Sequence, residues 1–254
     1  MTKWSENILE GKRILITGAS SGIGKNCAVI CSQLGAEIVA CGRDKERLAD
    51  TIRSLSGSGH IALDFELNDE IAIKKSLSVL SGTKAISGFI HSAGIERTNP
   101  LKSIDIGDFC EMFKTNVASA VQIAALISSP RLFDKNGCSY VFISSIRGLL
   151  GEKGNIEYSS TKSAIFGLVK SLARELASKS IRVNSITPAM VYTPMLSSIL
   201  SSLPEESASE IERKHLMGFM EPEDVANMCV YLISDLGKRI TGTNIIVDSG
   251  YSLS

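Results

Sequence analysis

Tyr158 and Lys162 stand four residues apart in a segment of helical periodicity, so their side chains share one helix face. A free phenol, with a pKa near ~10, is too weak an acid to act as a base at neutral pH. An ammonium group beside it favours the phenolate and lowers that value. A phenol tuned in this way could give a proton to a carbonyl oxygen, or take one from an alcohol, while hydride moves on the carbon. Ser145 lies thirteen residues before the tyrosine and could donate a hydrogen bond to the same oxygen. Taken alone, a Tyr–Lys pair is an ordinary surface pair on a helix. A second signal far away in the chain, TGASSGIG at positions 17–24, gives it a context. This glycine-rich stretch follows the apolar run Arg13-Ile14-Leu15-Ile16 and precedes a segment of helical spacing starting at Lys25. A glycine turn between a strand and a helix brings bare backbone close to a diphosphate. The helix N-terminus adds free N–H groups and positive dipole potential.

These residues need a scaffold, and the chain alternates strand-like and helix-like segments. Apolar runs occupy 13–17, 37–42, 60–65, 87–91, 138–144, 181–187 and 244–248, with longer helical segments between them. Glu157 to Ser178 is one such segment, with Ile165, Leu168, Val169, Leu172 and Leu176 in a single apolar stripe. Alternation of this kind predicts an α/β fold, a mostly parallel seven-stranded sheet with helices on both faces. Residues 1–254 read as one domain. Thr17, His91, Ser145 and Thr187 all stand at strand ends, and ligands of open α/β sheets bind beyond the carboxyl ends of the strands. The stretch 195–217, rich in Ser and Glu, breaks the strand–helix rhythm. It is expected to be an irregular substrate lid, the alternative being a surface excursion.

Four motifs in this order resemble the short-chain dehydrogenase/reductase family, in its compact single-domain branch. TGxxxGxG stands as Thr17, Gly18, Gly22 and Gly24, and YxxxK as Tyr158 and Lys162. The family's serine is matched by Ser145, and its asparagine by Asn116 in Lys114-Thr115-Asn116-Val117. Ile181 to Pro188 looks like the family's sixth strand, and the resemblance runs from about Gly11 to Ser254. It implies a Rossmann-type doubly wound fold and hydride exchange between a nicotinamide dinucleotide and a ketone/secondary-alcohol pair. It also implies that Asn116, Ser145, Tyr158 and Lys162 are catalytic, with Asn116 holding a water that links Lys162 to solvent. The implied cofactor site comprises Gly18, Ser20, Ser21, Gly22, Ile23, Gly24, Arg43, Asp64, Ser92, Ala93, Gly94, Tyr158, Lys162, Pro188, Val191 and Thr193. Asp64 stands where relatives bind the adenine amine, or it caps the following turn.

The sequence departs from the family pattern at His91-Ser92-Ala93-Gly94, where relatives carry asparagines that brace the central sheet, and at Pro188-Ala189, where they carry Pro-Gly. His91 is read as structural, and no metal site is proposed. Glu96 and Arg147 lie where substrate often touches in this family. Arg147 would suit an anionic substrate, or it is simply solvated or salt-bridged.

The resemblance looks nearest to 3-oxoacyl-[acyl-carrier-protein] reductase-like members, through phrases such as Ser171 to Leu176. The expected substrate is therefore a 3-oxoacyl thioester on a carrier protein or CoA, or alternatively a sugar, polyol or other small ketone. A carrier protein is acidic, and positions where such reductases carry arginine read Asn136, beside Lys135, and Lys179. A non-catalytic dinucleotide sensor or scaffold is the alternative of a different class. It would not need the Ser145, Tyr158, Lys162 and Asn116 set.

The expected cofactor is NADP(H) rather than NAD(H). In NAD-preferring relatives the second strand ends on an Asp that binds both ribose hydroxyls. Counting from Gly18, that position is Gly42, and Arg43 follows it. An arginine there can meet a 2′-phosphate with charge-assisted hydrogen bonds; the alternative is that it caps the next helix or pairs with Glu46.

Net charge is zero, which argues against a nucleic-acid partner. No apolar run approaches ~20 residues, so no membrane span is expected. Met1 to Asn7 lacks the apolar core of a signal peptide, and the scattered cysteines at 27, 31, 41, 110, 138 and 229 fit a reducing cytoplasm. A homo-oligomer, a tetramer, is expected through helices at about Asp105 to Ser129 and Ile156 to Lys179. Val117, Val121, Ile165 and Leu168 would lie on the contact faces, and the Ile245-Ile246-Val247 strand would offer a second interface.

Overall fold

The computed structural model describes residues 7–201 and 204–253. Seven strands form one sheet in the order β3-β2-β1-β4-β5-β6-β7. They are β1 (Arg13–Thr17), β2 (Glu37–Gly42), β3 (Ile61–Asp64), β4 (Gly88–His91), β5 (Cys138–Ile143), β6 (Ile181–Pro188) and β7 (Asn244–Val247). Every pairing is parallel, a stricter outcome than the mostly parallel sheet expected from sequence. The helices are α1 (Gly22–Gln33), α2 (Lys45–Arg53), α3 (Glu70–Ser78), α4 (Ile106–Phe113), α5 (Ser119–Ile127), α6 (Ile146–Leu150), α7 (Ile156–Leu176), α8 (Pro194–Ser201), α9 (Glu205–Arg213) and α10 (Pro222–Ile233).

Both sheet faces are covered, so the central strands β1, β4 and β5 are buried throughout and their side chains alternate only in destination. Leu15, Phe89, Tyr140 and Phe142 point to the face packed by α3, α5 and α7. Ile14, Ile16, Ile90, Val141 and Ile143 point to the opposite face, where α1 and α10 lie. The Phe89 ring meets the rings of Tyr140 and Phe142 edge-on at 5.6 Å and 5.7 Å, which fixes β4 against β5. The chain switches faces between β1 and β4, neighbours in the sheet but not in sequence. The carboxyl ends of these two strands open a crevice there.

Two regions differ from the sequence expectation. The segment 195–217 is not irregular: α8 and α9 occupy most of it. The helical stretch expected from Asp105 to Ser129 is interrupted by a π turn, Lys114–Ala118, which carries Asn116. A π turn inserts one extra residue per turn and re-aims the side chains around it.

Candidate active site

Both predicted signals meet at one cleft of about 570 Å³ beyond the carboxyl ends of the strands. Its walls include Gly18, Ser20, Ser21, Gly22, Ile23, Arg43, Ser92, Ala93, Gly94, Ser145, Tyr158, Lys162, Pro188, Val191 and Thr193, together with Glu96 and Arg147. Sequence separations of more than a hundred residues are thus closed by the sheet.

The glycine turn is built for close approach. Gly18 has φ +69°, and a Cβ on it would fall 2.9 Å from the Ala93 nitrogen. Gly22 opens α1 at φ +51°, a left-handed conformation that glycine adopts without steric cost. Gly24 does not line the cleft; a Cβ there would lie 2.3 Å from the Gly18 carbonyl oxygen, so its role is to let α1 pack on the turn. The N-terminus of α1 has no side-chain cap from Ser21 and no acidic residue in its first turn. These unclaimed N–H groups fit the diphosphate of a dinucleotide.

At the end of β2, Gly42, Arg43, Asp44 and Arg47 line the cleft. Asp44 caps α2 by accepting from the Arg47 N–H at 3.0 Å, and its carboxylate also holds the Arg47 guanidinium at 3.3 Å. Arg43 is exposed, caps nothing and forms no ion pair among the described residues, so the pairing with Glu46 is not made. Arg47 was not picked out from sequence, although its position four residues after Arg43 on a helix start was a usable signal. Asp64 is not among the residues lining the cleft and pairs with Lys45 at 3.3 Å, while its successors Phe65, Glu66, Leu67 and Asn68 form part of the wall.

The proton-handling groups come from the β5–α6 junction and from α7. Ser145 lies just past the end of β5 and caps α6, its hydroxyl accepting from the Arg147 N–H at 3.3 Å. Tyr158 and Lys162 lie one turn apart on α7, with the Lys162 Nζ 5.4 Å from the Tyr158 ring centre. Lys162 is buried and donates to the Ile143 carbonyl at 2.9 Å; burial pushes its pKa down to about 8. The expected lowering of the phenol by this lysine is not what the protein alone exhibits. Burial raises the Tyr158 pKa, and the counteracting influences are a hydrogen bond with Ser145 and the charge of Arg147. Desolvation outweighs both of these influences.

Asn116 does not line the cleft but braces its floor. Its Oδ1 accepts from the Ile95 N–H at 2.8 Å, and its Nδ2 donates to the Ile95 carbonyl at 2.9 Å and to Thr161 Oγ1 at 3.0 Å. The π turn places it there, beneath Gly94. A Cβ on Gly94 would lie 3.2 Å from Asn116 Oδ1 and 3.5 Å from Lys162 Nζ. His91 is buried, its Nδ1 3.0 Å from Thr17 Oγ1, and burial lowers its pKa to about 3. It therefore stays neutral, as the structural reading requires.

Arg147 is salt-bridged to Glu96, and Glu96 Oε1 also accepts from Asn155 Nδ2 at 3.1 Å. Both charged side chains are largely buried, 15% and 10% exposed. The solvated alternative for Arg147 is excluded.

A family model described as Enoyl-(Acyl carrier protein) reductase matches residues 18–252. The chain is 32% identical over 246 residues to 3-oxoacyl-[acyl-carrier-protein] reductase FabG of Thermotoga maritima, covering 95% of this chain and 98% of that one. It is 32% identical to carbonyl reductase [NADPH] 2 of Sus scrofa, covering 96% and 98%, and 29% identical to an L-xylulose reductase of Caenorhabditis elegans, covering 95% and 96%. A solved structure of a short-chain type dehydrogenase/reductase from Mycobacterium ulcerans superposes with a TM-score of 0.89 at 27% identity, over 96% of this chain and 91% of that one.

Proposed function

This chain belongs to the short-chain dehydrogenase/reductase family, oxidoreductases acting on CH–OH and C=O groups, and we propose that it is an NADP(H)-dependent reductase of 3-oxoacyl thioesters. The observation that carries this reading is convergence: the glycine turn and the Ser145, Tyr158 and Lys162 side chains line one cleft. The cofactor fits the uncapped α1 N-terminus and the close-approach glycines described above. When bound, its nicotinamide exchanges a hydride with the substrate carbon.

The protein's part is the proton. Tyr158, kept protonated by burial, gives its hydroxyl proton to the carbonyl oxygen as that oxygen gains charge. Ser145 donates a hydrogen bond to the same oxygen. Lys162, with its pKa near neutrality at about 8, can return a proton towards the phenolate. Asn116 holds the Ile95 backbone and Thr161 in place around it. In the alcohol-to-ketone direction the same groups run in reverse.

Three lines support NADP(H) over NAD(H). Gly42 brings no carboxylate to the ribose, Arg43 is an unpaired cation among the described residues, and Arg47 stands beside it on the same wall. The thioester reading draws on the similarity to the Thermotoga maritima reductase. Docking of a carrier protein draws less support, because Lys179 spends its ammonium on the Ser128 carbonyl at 3.0 Å. The polar wall made by Glu96 and Arg147 favours a second reading, a hydroxylated small ketone such as a keto-sugar. Six free cysteines fit a reducing, cytoplasmic setting. No described helix is long and apolar enough to cross a membrane.

We read the protein as a homotetramer, with a revised contact face. Val117 and Ile165 are spent on the protomer's own core and Leu168 is half-buried against it, whereas Val121 and Ile246 remain exposed. NADPH oxidation measured with acetoacetyl thioesters and keto-sugars tests the whole reading. Tight NADPH binding with no turnover of any ketone would instead identify a sensor.

A further inference from the structure

We propose that Arg147, fixed by Glu96, recognises a second, uncharged oxygen of the substrate, so that ketones bearing a carbonyl or hydroxyl oxygen near the reacting carbonyl are selected. This deepens the functional reading above and rests on it. Arg147 occupies the first turn of α6, two residues after Ser145. That turn is locked onto α7, because Gly148 abuts the Lys162 backbone and accepts from the Ser163 hydroxyl. The guanidinium therefore has a fixed position relative to Ser145 and Tyr158, and all three line the cleft. One of its nitrogens, Nη1, is spent on Glu96, while Nη2 and Nε have no partner among the described residues and are not sealed in protein. Nitrogens of this kind are donors awaiting an acceptor.

The charge balance selects the acceptor. Glu96 neutralises Arg147 and is itself held by Asn155, the residue that starts α7. A carboxylate or phosphate placed there would meet a carboxylate already in possession. A neutral oxygen accepts from the free N–H groups without that repulsion. An alkyl chain at the same place would cover them and leave them unsatisfied, which is costly. A smaller hollow of about 150 Å³, lined by Arg147, Leu150, Lys214 and Tyr251, adjoins the site and gives room for the rest of such a substrate.

Three ketones test the inference with NADPH: 2-pentanone; 4-hydroxy-2-butanone, which puts a hydroxyl where 2-pentanone has a methyl; and an acetoacetyl thioester. The protein is expected to favour the hydroxyketone, the thioester or both over 2-pentanone by tenfold or more in kcat/KM. A preference for one of them identifies the second oxygen as hydroxyl or carbonyl, and either supports the inference. Removing Arg147 alone strands Glu96, so the double variant E96Q/R147M is made beside R147K. In the double variant the preference is expected to fall to within threefold, and in R147K to survive in part. A parent preference below threefold, or a preference unchanged in the double variant, overturns the inference and leaves the reductase reading standing. Equal losses on all three ketones point to an effect through Tyr158 and also overturn it. Binding of NADPH without reduction of any of the three overturns the functional reading and this inference together.

Discussion

Gly148 is pressed against the backbone of Lys162: a Cβ at position 148 would fall 2.7 Å from the Lys162 carbonyl carbon and 2.8 Å from its Cβ. Neither atom is the free end of a flexible chain, so nothing there can yield cheaply. This contact sets the separation of α6 from α7, and with it the distance from Ser145 to Tyr158 and Lys162. Gly148→Ala is expected to lower stability by about 1–3 kcal/mol, the usual range for overpacking. It should also reduce kcat by more than it raises the KM for NADPH. Denaturant unfolding and steady-state kinetics on the same preparation check both parts.

His91 makes the fold acid-sensitive. Its pKa falls to about 3 in the native protein from an ordinary 6.5, so between those values the unfolded chain carries a proton that the native chain refuses. Stability contributed by neutral His91 is complete above pH 6.5 and is lost as pH falls through this window. Glu37 and Asp248 have native values below their ordinary 4.5 and 3.8, so their contributions are lost only at lower pH. Between pH 6.5 and 4.5 the loss assigned to His91 is about 2 kcal/mol, from roughly 1.4 kcal/mol per proton per pH unit. Urea unfolding at four pH values should give a flatter profile for His91→Asn over that interval. An identical slope in parent and variant would remove His91 as the cause.

Cofactor choice is predicted to reside in the β2–α2 turn. The parent should prefer NADPH over NADH by roughly ten- to a hundredfold in kcat/KM, because the arginines there are solvent-exposed and their hydrogen bonds are weakened accordingly. Gly42→Asp combined with Arg43→Leu should collapse or reverse that ratio. Arg47→Leu alone should reduce it by a smaller factor, since Arg47 is partly engaged by Asp44 at 3.3 Å. A parent that favours NADH, or a ratio indifferent to all three changes, contradicts the assignment.

Much of this architecture is legible in the sequence because it rests on local rules. The run Arg13 to Thr17 followed by a glycine-rich turn reads as a buried strand entering a turn, and all five strand residues are buried. The spacing of Tyr158 and Lys162 placed them on one face of α7 without any tertiary information. What was not legible depends on contacts between distant elements. The π turn at Asn116 has no marker in Lys114 to Ala118; it packs against α4, α5 and α7, contacts that only the fold brings together. The 195–217 stretch is mostly helical although Ser and Glu dominate it, because Pro194 and Pro204 punctuate it as helix starts. The choice between a free and a paired Arg147 turned on Glu96, fifty-one residues away, and only the fold brings the two together. The net effect on the Tyr158 phenol is not legible for the same reason: sequence places the lysine but not the degree of burial.

The central claim is that Tyr158 delivers the proton to a substrate carbonyl and contributes little to cofactor binding. It is tested most directly by measuring, for Tyr158→Phe, the Kd for NADPH by fluorescence titration and kcat for an acetoacetyl thioester. The account predicts an NADPH Kd within threefold of the parent and a kcat lower by roughly a hundred- to ten-thousandfold. A variant that keeps kcat within threefold of the parent would contradict it.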